Sequence, residues 1–135
     1  MQTLSDHILD IAQNSIRAQA SRVEIKLQEN ITKDSLVITI RDNGCGMDET
    51  TVAKVTDPFF TSRTVRKVGL GIPLFKQNAE ATGGTLKIKS KPGEGTTIEA
   101  SFGLLHWDRP PMGDIAGSIV ILVSANPEIN FIYRH

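Results

Sequence analysis

The chain lacks several things that would have placed it quickly. Among its 135 residues there is a single cysteine, Cys45. That excludes an internal disulfide and a cysteine-built zinc site, and it fits a reducing, cytoplasmic setting. Charge of one sign is also missing: fifteen basic residues offset fifteen acidic ones. A neutral chain presents no net attractive field to a nucleic acid or an anionic membrane, so neither is expected as a partner. There is no long apolar run. The best stretch, residues 115–125, is interrupted by Gly117, Ser118 and Ser124 and falls short of the ~20 residues a bilayer span needs. The first residues carry no basic-then-apolar leader pattern. No Gly-x-x-x-x-Gly-Lys-Ser/Thr occurs, which excludes a P-loop. Internal repeats and low-complexity segments are absent too.

What is present is an ordinary globular balance, 39% apolar and 22% charged, at a length suited to one core. Residues 4–20 read as a helix, with Leu4, Ile8, Ile11 and Ser15 on one stripe and Thr3 or Ser5 as its cap. Residues 22–29 and 35–42 alternate apolar with polar and predict an antiparallel hairpin across a polar turn. Asp48-Glu49-Thr50 opens a short helix, and residues 56–69 read as a loop. A helix follows over 70–82, with Pro73 tolerated only in its first turn and Gly83-Gly84 ending it. Residues 86–88 and 98–102 predict a second hairpin. The order predicts an α+β fold: a two-layer α/β sandwich with helices on one face of a mixed, mostly antiparallel sheet.

Four features carry chemistry. Asp42 ends the inward row Leu36, Ile38, Ile40 by the period of two, which half-buries a carboxylate. The glycine turn that follows lets a ligand approach the backbone, so Asp42 could accept a hydrogen bond from an exocyclic amine; a plain turn-capping Asp fits the same segment. Thr96 shares the inward face of Ile98, Ala100 and Phe102 and belongs at the same end of the sheet. Asp10 and Asn14 lie one turn apart on the first helix, where oxygens so stacked suit a hard cation and its waters, or simply a solvated face. Gly69-Leu70-Gly71 precedes a helix, leaving free N–H groups to meet an anion, with Arg63, Arg66 and Lys67 just before it.

Each element is weak alone, but their order is specific. Ile11-Ala12-Gln13-Asn14-Ser15, Asp42-Asn43-Gly44-Cys45-Gly46-Met47, Asp57-Pro58-Phe59-Phe60-Thr61, Gly69-Leu70-Gly71-Ile72 and Gly93-Glu94-Gly95-Thr96-Thr97 together resemble the signature blocks of the histidine-kinase-like ATPase superfamily (the Bergerat fold) over residues 4–103. Residues 57–102 are most similar to sensor histidine kinases, and residues 10–48 to the MutL type.

The resemblance implies a domain that binds ATP or ADP with Mg²⁺. By it, Asn14 would coordinate Mg²⁺ and Asp42 would hold the adenine amine, helped by a water near Thr96. Gly44, Gly46 and Met47 would shape the adenine pocket. Phe59, Phe60 and Thr61 would begin a lid, while Lys67, Gly69, Leu70 and Gly71 would meet the phosphates. Asp10 stands where hydrolysing members place a Glu, one methylene longer, and is the candidate base. Lys67 replaces a common Gly, and the lid over 61–68 is short. His7 lacks the acidic residue and proline that follow a phospho-acceptor, and reads as structural.

The implied activity is that of a protein kinase or ATPase in signal transduction, its acceptor carried by a partner protein; a homodimer is compatible with this. A nucleotide-gated binding module of the anti-sigma or MutL type is the alternative. The expected domain covers 1–103. Residues 104–135 are expected to be an extension packing on the domain or on a partner, with an extended linker at 107–111, a helix from Asp114 to Ser124, where the β-branched content also permits a strand, and a strand at 129–133.

Overall fold

A computed structural model describes residues 3–55, 71–107 and 109–135. The first helix, α1 (Leu4–Arg17), starts in a capping box: the Thr3 hydroxyl accepts from the Asp6 amide while the Asp6 carboxylate accepts from the Thr3 amide. Its apolar stripe is fully used, with Leu4, Ile8, Ile11 and Ala12 buried. The helix ends short of residue 20. Gln19 turns into the left-handed region at φ 62, and the Ala20 amide bonds back to the Ser15 carbonyl at 3.2 Å, swinging the chain into the sheet.

The hairpin forms as β1 (Arg22–Asn30) and β2 (Ser35–Asp42), paired so that Ile25 faces Ile40 and Leu27 faces Ile38. Then come α2 (Glu49–Val55), α3 (Gly71–Ala81), β3 (Leu86–Lys91) and β4 (Gly95–Gly103), the last two an antiparallel pair. Strand β4 also lies antiparallel to β2, with Ile98 against Ile40 and Ala100 against Ile38. The inward residues of β1, β2 and β4 are buried, and α1 and α3 cover them with Ile8, Ile11, Phe75 and Ala79. Each fully buried Leu, Ile or Phe contributes roughly 1.5–3 kcal/mol relative to exposure, so this layer contact is what holds the two layers together.

Residues beyond β4 close the other edge. After an extended stretch, α4 (Ile115–Ala125) is capped by Asp114, whose carboxylate accepts from the Gly117 amide at 3.0 Å. It buries Ile115, Ser118 and Leu122 and packs against α1. The Ser5 and Ser118 hydroxyls bond to each other between these helices. The carbonyls of Pro111 and Met112 accept from the Leu4 and Ser5 amides at 2.8 and 3.0 Å, partnering two donors that a helix start leaves without intrahelical acceptors. Finally β5 (Asn130–Arg134) adds to β1 in parallel, giving the order β3-β4-β2-β1-β5. The result is the mixed, mostly antiparallel sheet that the patterning predicts. Among the described residues, no helix is long and apolar enough to cross a membrane.

Candidate functional site

Strands β2 and β4 are registered so that Asp42 is the direct partner of Thr96 at one end of the sheet. The carboxylate of Asp42 is half-buried and held by two donors. Ser15 of α1 donates its hydroxyl to Oδ2 at 2.7 Å, and the Gly44 amide donates to Oδ1 at 2.9 Å. An ionised carboxylate has about four lone-pair positions, so two stay open for a further donor. The turn after β2 is pinned at its root by Asn43, whose Oδ1 accepts from the Ser21 and Arg22 amides at 2.9 and 3.0 Å.

Opposite, Thr96 belongs to a small polar relay. The Ser90 hydroxyl oxygen accepts from the Met47 amide at 2.8 Å, bonds the Gly95 carbonyl at 3.0 Å and lies 2.8 Å from Thr96 Oγ1. Ser90 has one proton, and the carbonyl can only accept it. Thr96 therefore donates to Ser90 and keeps its own lone pairs to accept from a ligand or a water.

Glycine is required at two places, one in each of the turns that meet here. Gly46 has φ 71, and a Cβ there would fall 1.9 Å from the Lys91 carbonyl oxygen; Gly95 has φ 99, and its Cβ would fall 2.1 Å from the Asp42 carbonyl oxygen. The turn after β2 and the β3–β4 turn thus press backbone on backbone, which only residues without Cβ permit.

These elements enclose a cavity of about 260 Å³. Ile11, Asn14 and Ser15 of α1 form one wall. Ile72 of α3 and Ile98 of β4 form another, and Asp42, Gly46, Met47 and Thr96 line the polar end. A slot of mostly apolar walls with a few convergent polar groups is the usual form of a small-molecule site. Asn14 is half-buried at its edge, and its Oδ1 accepts from Arg17 at 3.1 Å. Asp10, also half-buried, sits one turn earlier, where α3 begins: a Cβ on Gly71 would lie 3.1 Å from that of Asp10. The start of α3 is thereby set beside Asp10 and Ile11, and its Ile72 lines the same cavity as Asn14. Asp10 and Asn14 offer hard oxygen donors, the kind Mg²⁺ takes together with water and phosphate oxygens. Among the described residues no cluster of three or more His, Cys, Asp or Glu could hold a metal without such help.

Of the residues singled out in the sequence, Asp10, Asn14, Asp42, Gly44, Gly46, Met47, Gly71 and Thr96 come together at this end of the molecule. Phe60, Thr61, Lys67, Gly69 and Leu70 lie outside the described residues, as do Phe59 and the rest of the segment read as a loop. Sequence reasoning gave no role to Ser15 or Ser90. Ser15 had a legible signal, a hydroxyl on an apolar stripe, the same signal that marked Thr96. Ser90 had none before β3 and β4 were registered.

Residues 2–106 match the family described as histidine kinase-, DNA gyrase B-, and HSP90-like ATPase. The chain is 36% identical over 96 residues to the signal transduction histidine-protein kinase AtoS of Escherichia coli, covering 70% of this chain and 16% of that protein. It is 38% identical over 94 residues to the sensor protein kinase FleS of Pseudomonas aeruginosa, covering 70% and 23%. To a putative sensor protein of Shewanella frigidimarina it is 31% identical over 109 residues, covering 79% and 17%. In each case the chain spans less than a quarter of the relative's length.

Proposed function

This chain belongs to the histidine kinase-, DNA gyrase B- and HSP90-like ATPase family and is an ATP-binding domain of the histidine-kinase type; from that premise we propose that the cavity at Asp42 receives the adenine base, and that bound Mg-ATP serves phosphoryl transfer to a protein acceptor. The observation that carries this is the Asp42 carboxylate, fixed by Ser15 and Gly44 with lone pairs left over at the polar end of an otherwise apolar slot. An exocyclic amine donates to such an acceptor, and Thr96 Oγ1 stands across the ladder to fix a bridging water. Gly44, Gly46 and Met47 shape the slot.

The phosphates then extend toward Asn14 and the start of α3. Asn14 would hold Mg²⁺, which when bound neutralises charge on the phosphates. Gly71, with Gly69, Leu70 and Lys67 ahead of it, would meet the phosphate oxygens, and Phe60 and Thr61 would border the nucleotide. Asp10 is the candidate to orient or accept a proton from a nucleophile. The acceptor is carried by a partner protein, in a reducing, cytoplasmic compartment that suits the exposed Cys45. Residues 1–103 form the nucleotide-binding domain and 104–135 an extension that closes its edge.

Calorimetric titration with Mg-ATP tests the base assignment. Wild type should bind, and Asp42→Asn should bind about 10–100-fold more weakly, the value of one hydrogen bond to a charged acceptor. Equal affinities would refute it.

A further inference from the structure

His7 is fully buried on α1, yet among the described residues only one of its ring nitrogens has a partner. Its ring stacks on Phe75 of α3, centroids 5.1 Å apart. Nε2 lies 2.7 Å from the side-chain nitrogen of Asn78, also on α3. An amide nitrogen only donates, so Nε2 accepts and the ring proton sits on Nδ1. Nδ1 meets no acceptor among the described residues. A buried, unpaired N–H is costly, and a phenyl ring would fill the place without that cost. The pair is thus a poor device for stability. It is a good device for register, because one polar contact in an apolar helix interface admits a single alignment where apolar ridges admit several.

That alignment matters at the start of α3. His7 precedes Asn14 by seven residues, about two turns, so the two project within ~20° of each other. Gly71 precedes Asn78 by the same interval. The helices cross so that the His7–Asn78 contact is followed, one turn further along α1, by the approach of Gly71 to Asp10 and Ile11, with a Cβ on Gly71 only 3.1 Å from Asp10. A slide of α3 by one residue would carry its start ~1.5 Å along the axis, enough to misplace a backbone donor from a phosphate oxygen.

We propose that His7 and Asn78 are positioning residues that set α3 on α1 and so place the start of α3 beside Asp10 and Ile11. This rests on reading that end of the cavity as the phosphate side. Neither residue touches the nucleotide; both act through Gly71.

The test uses three variants of the whole chain and two readouts. His7→Phe keeps the stacking but removes the acceptor, Asn78→Leu removes the donor at a half-exposed position, and His7→Gln supplies an amide oxygen to accept again. In nucleotide-free protein, the backbone amide resonances of Gly71 and Ile72 should move in His7→Phe and Asn78→Leu and return in His7→Gln. By calorimetry, the first two should bind ADP at least fivefold more weakly with adenosine affinity unchanged, and His7→Gln should restore ADP. Unmoved amides in a folded His7→Phe or Asn78→Leu would overturn the proposal. So would equal losses for ADP and adenosine that His7→Gln does not restore, which is what a merely structural pair predicts. Wild type that binds neither ligand would overturn the reading of the cavity, while the amide resonances would still decide the pair.

Discussion

Asp42 and Thr96 face each other as direct partners across the β2–β4 ladder, each tied to a different neighbouring element: Asp42 to Ser15 of α1, Thr96 to Ser90 of β3. Both keep acceptor capacity directed at the same cavity. Losing either tether should therefore loosen the site without removing the group that meets the ligand.

Ser15→Ala tests the first tether. Deleting the 2.7 Å bond to Asp42 should weaken adenosine binding about fivefold and lower stability by about 1 kcal/mol, the net value of one such bond. Calorimetry and urea unfolding read the two effects, and unchanged affinity would detach Ser15 from the site.

Two glycine substitutions separate crowding from backbone strain. Gly46→Ala meets both, a contact of 1.9 Å and φ 71, whereas Gly93→Ala meets only the strain of φ 80 with nothing within 4 Å. The first should cost several kcal/mol or prevent folding, the second about 1 kcal/mol. Similar urea midpoints for the two would show that the two turns do not press together as described.

Acid should weaken the fold through His7. Burial pushes its pKa from an ordinary 6.5 down to about 4, opposed weakly by the neighbouring Asp6 carboxylate. Between those values the unfolded chain binds a proton that the folded chain refuses, so stability falls as pH drops from about 6.5 to about 4, by up to ~3 kcal/mol. Above pH 6.5 this contribution is fully present. His7→Phe should flatten that part of the curve; an unaltered slope would assign it to other groups.

Removing residues 107–135 tests whether the extension is part of the folding unit. The truncated chain loses the acceptors for the Leu4 and Ser5 amides, the burial of Ile115 and Leu122, and the strand beside β1. It should unfold at clearly lower urea or aggregate along the bared β1 edge. A monomer with wild-type stability would make 107–135 dispensable.

The sequence by itself determined the elements and the sidedness of each. Alternation in 22–29 and 35–42 fixes which residues face inward, since a slip of one residue would put Ile25 and Ile40 in water. Helical spacing in 4–17 does the same for Ile8 and Ile11. It also marked Asp42 and Thr96, because a polar group closing an apolar row stands out locally. Tertiary structure alone decided which polar groups meet. The pairing of Asp42 with Thr96, the donation from Ser15, the Ser90 relay and the His7–Asn78 contact join residues far apart in the chain. The place of β5, parallel to β1 at the sheet's edge, was equally hidden. Periodicity specifies the face that a side chain presents, but not its partner; that depends on how strands register and helices align once the whole core is packed.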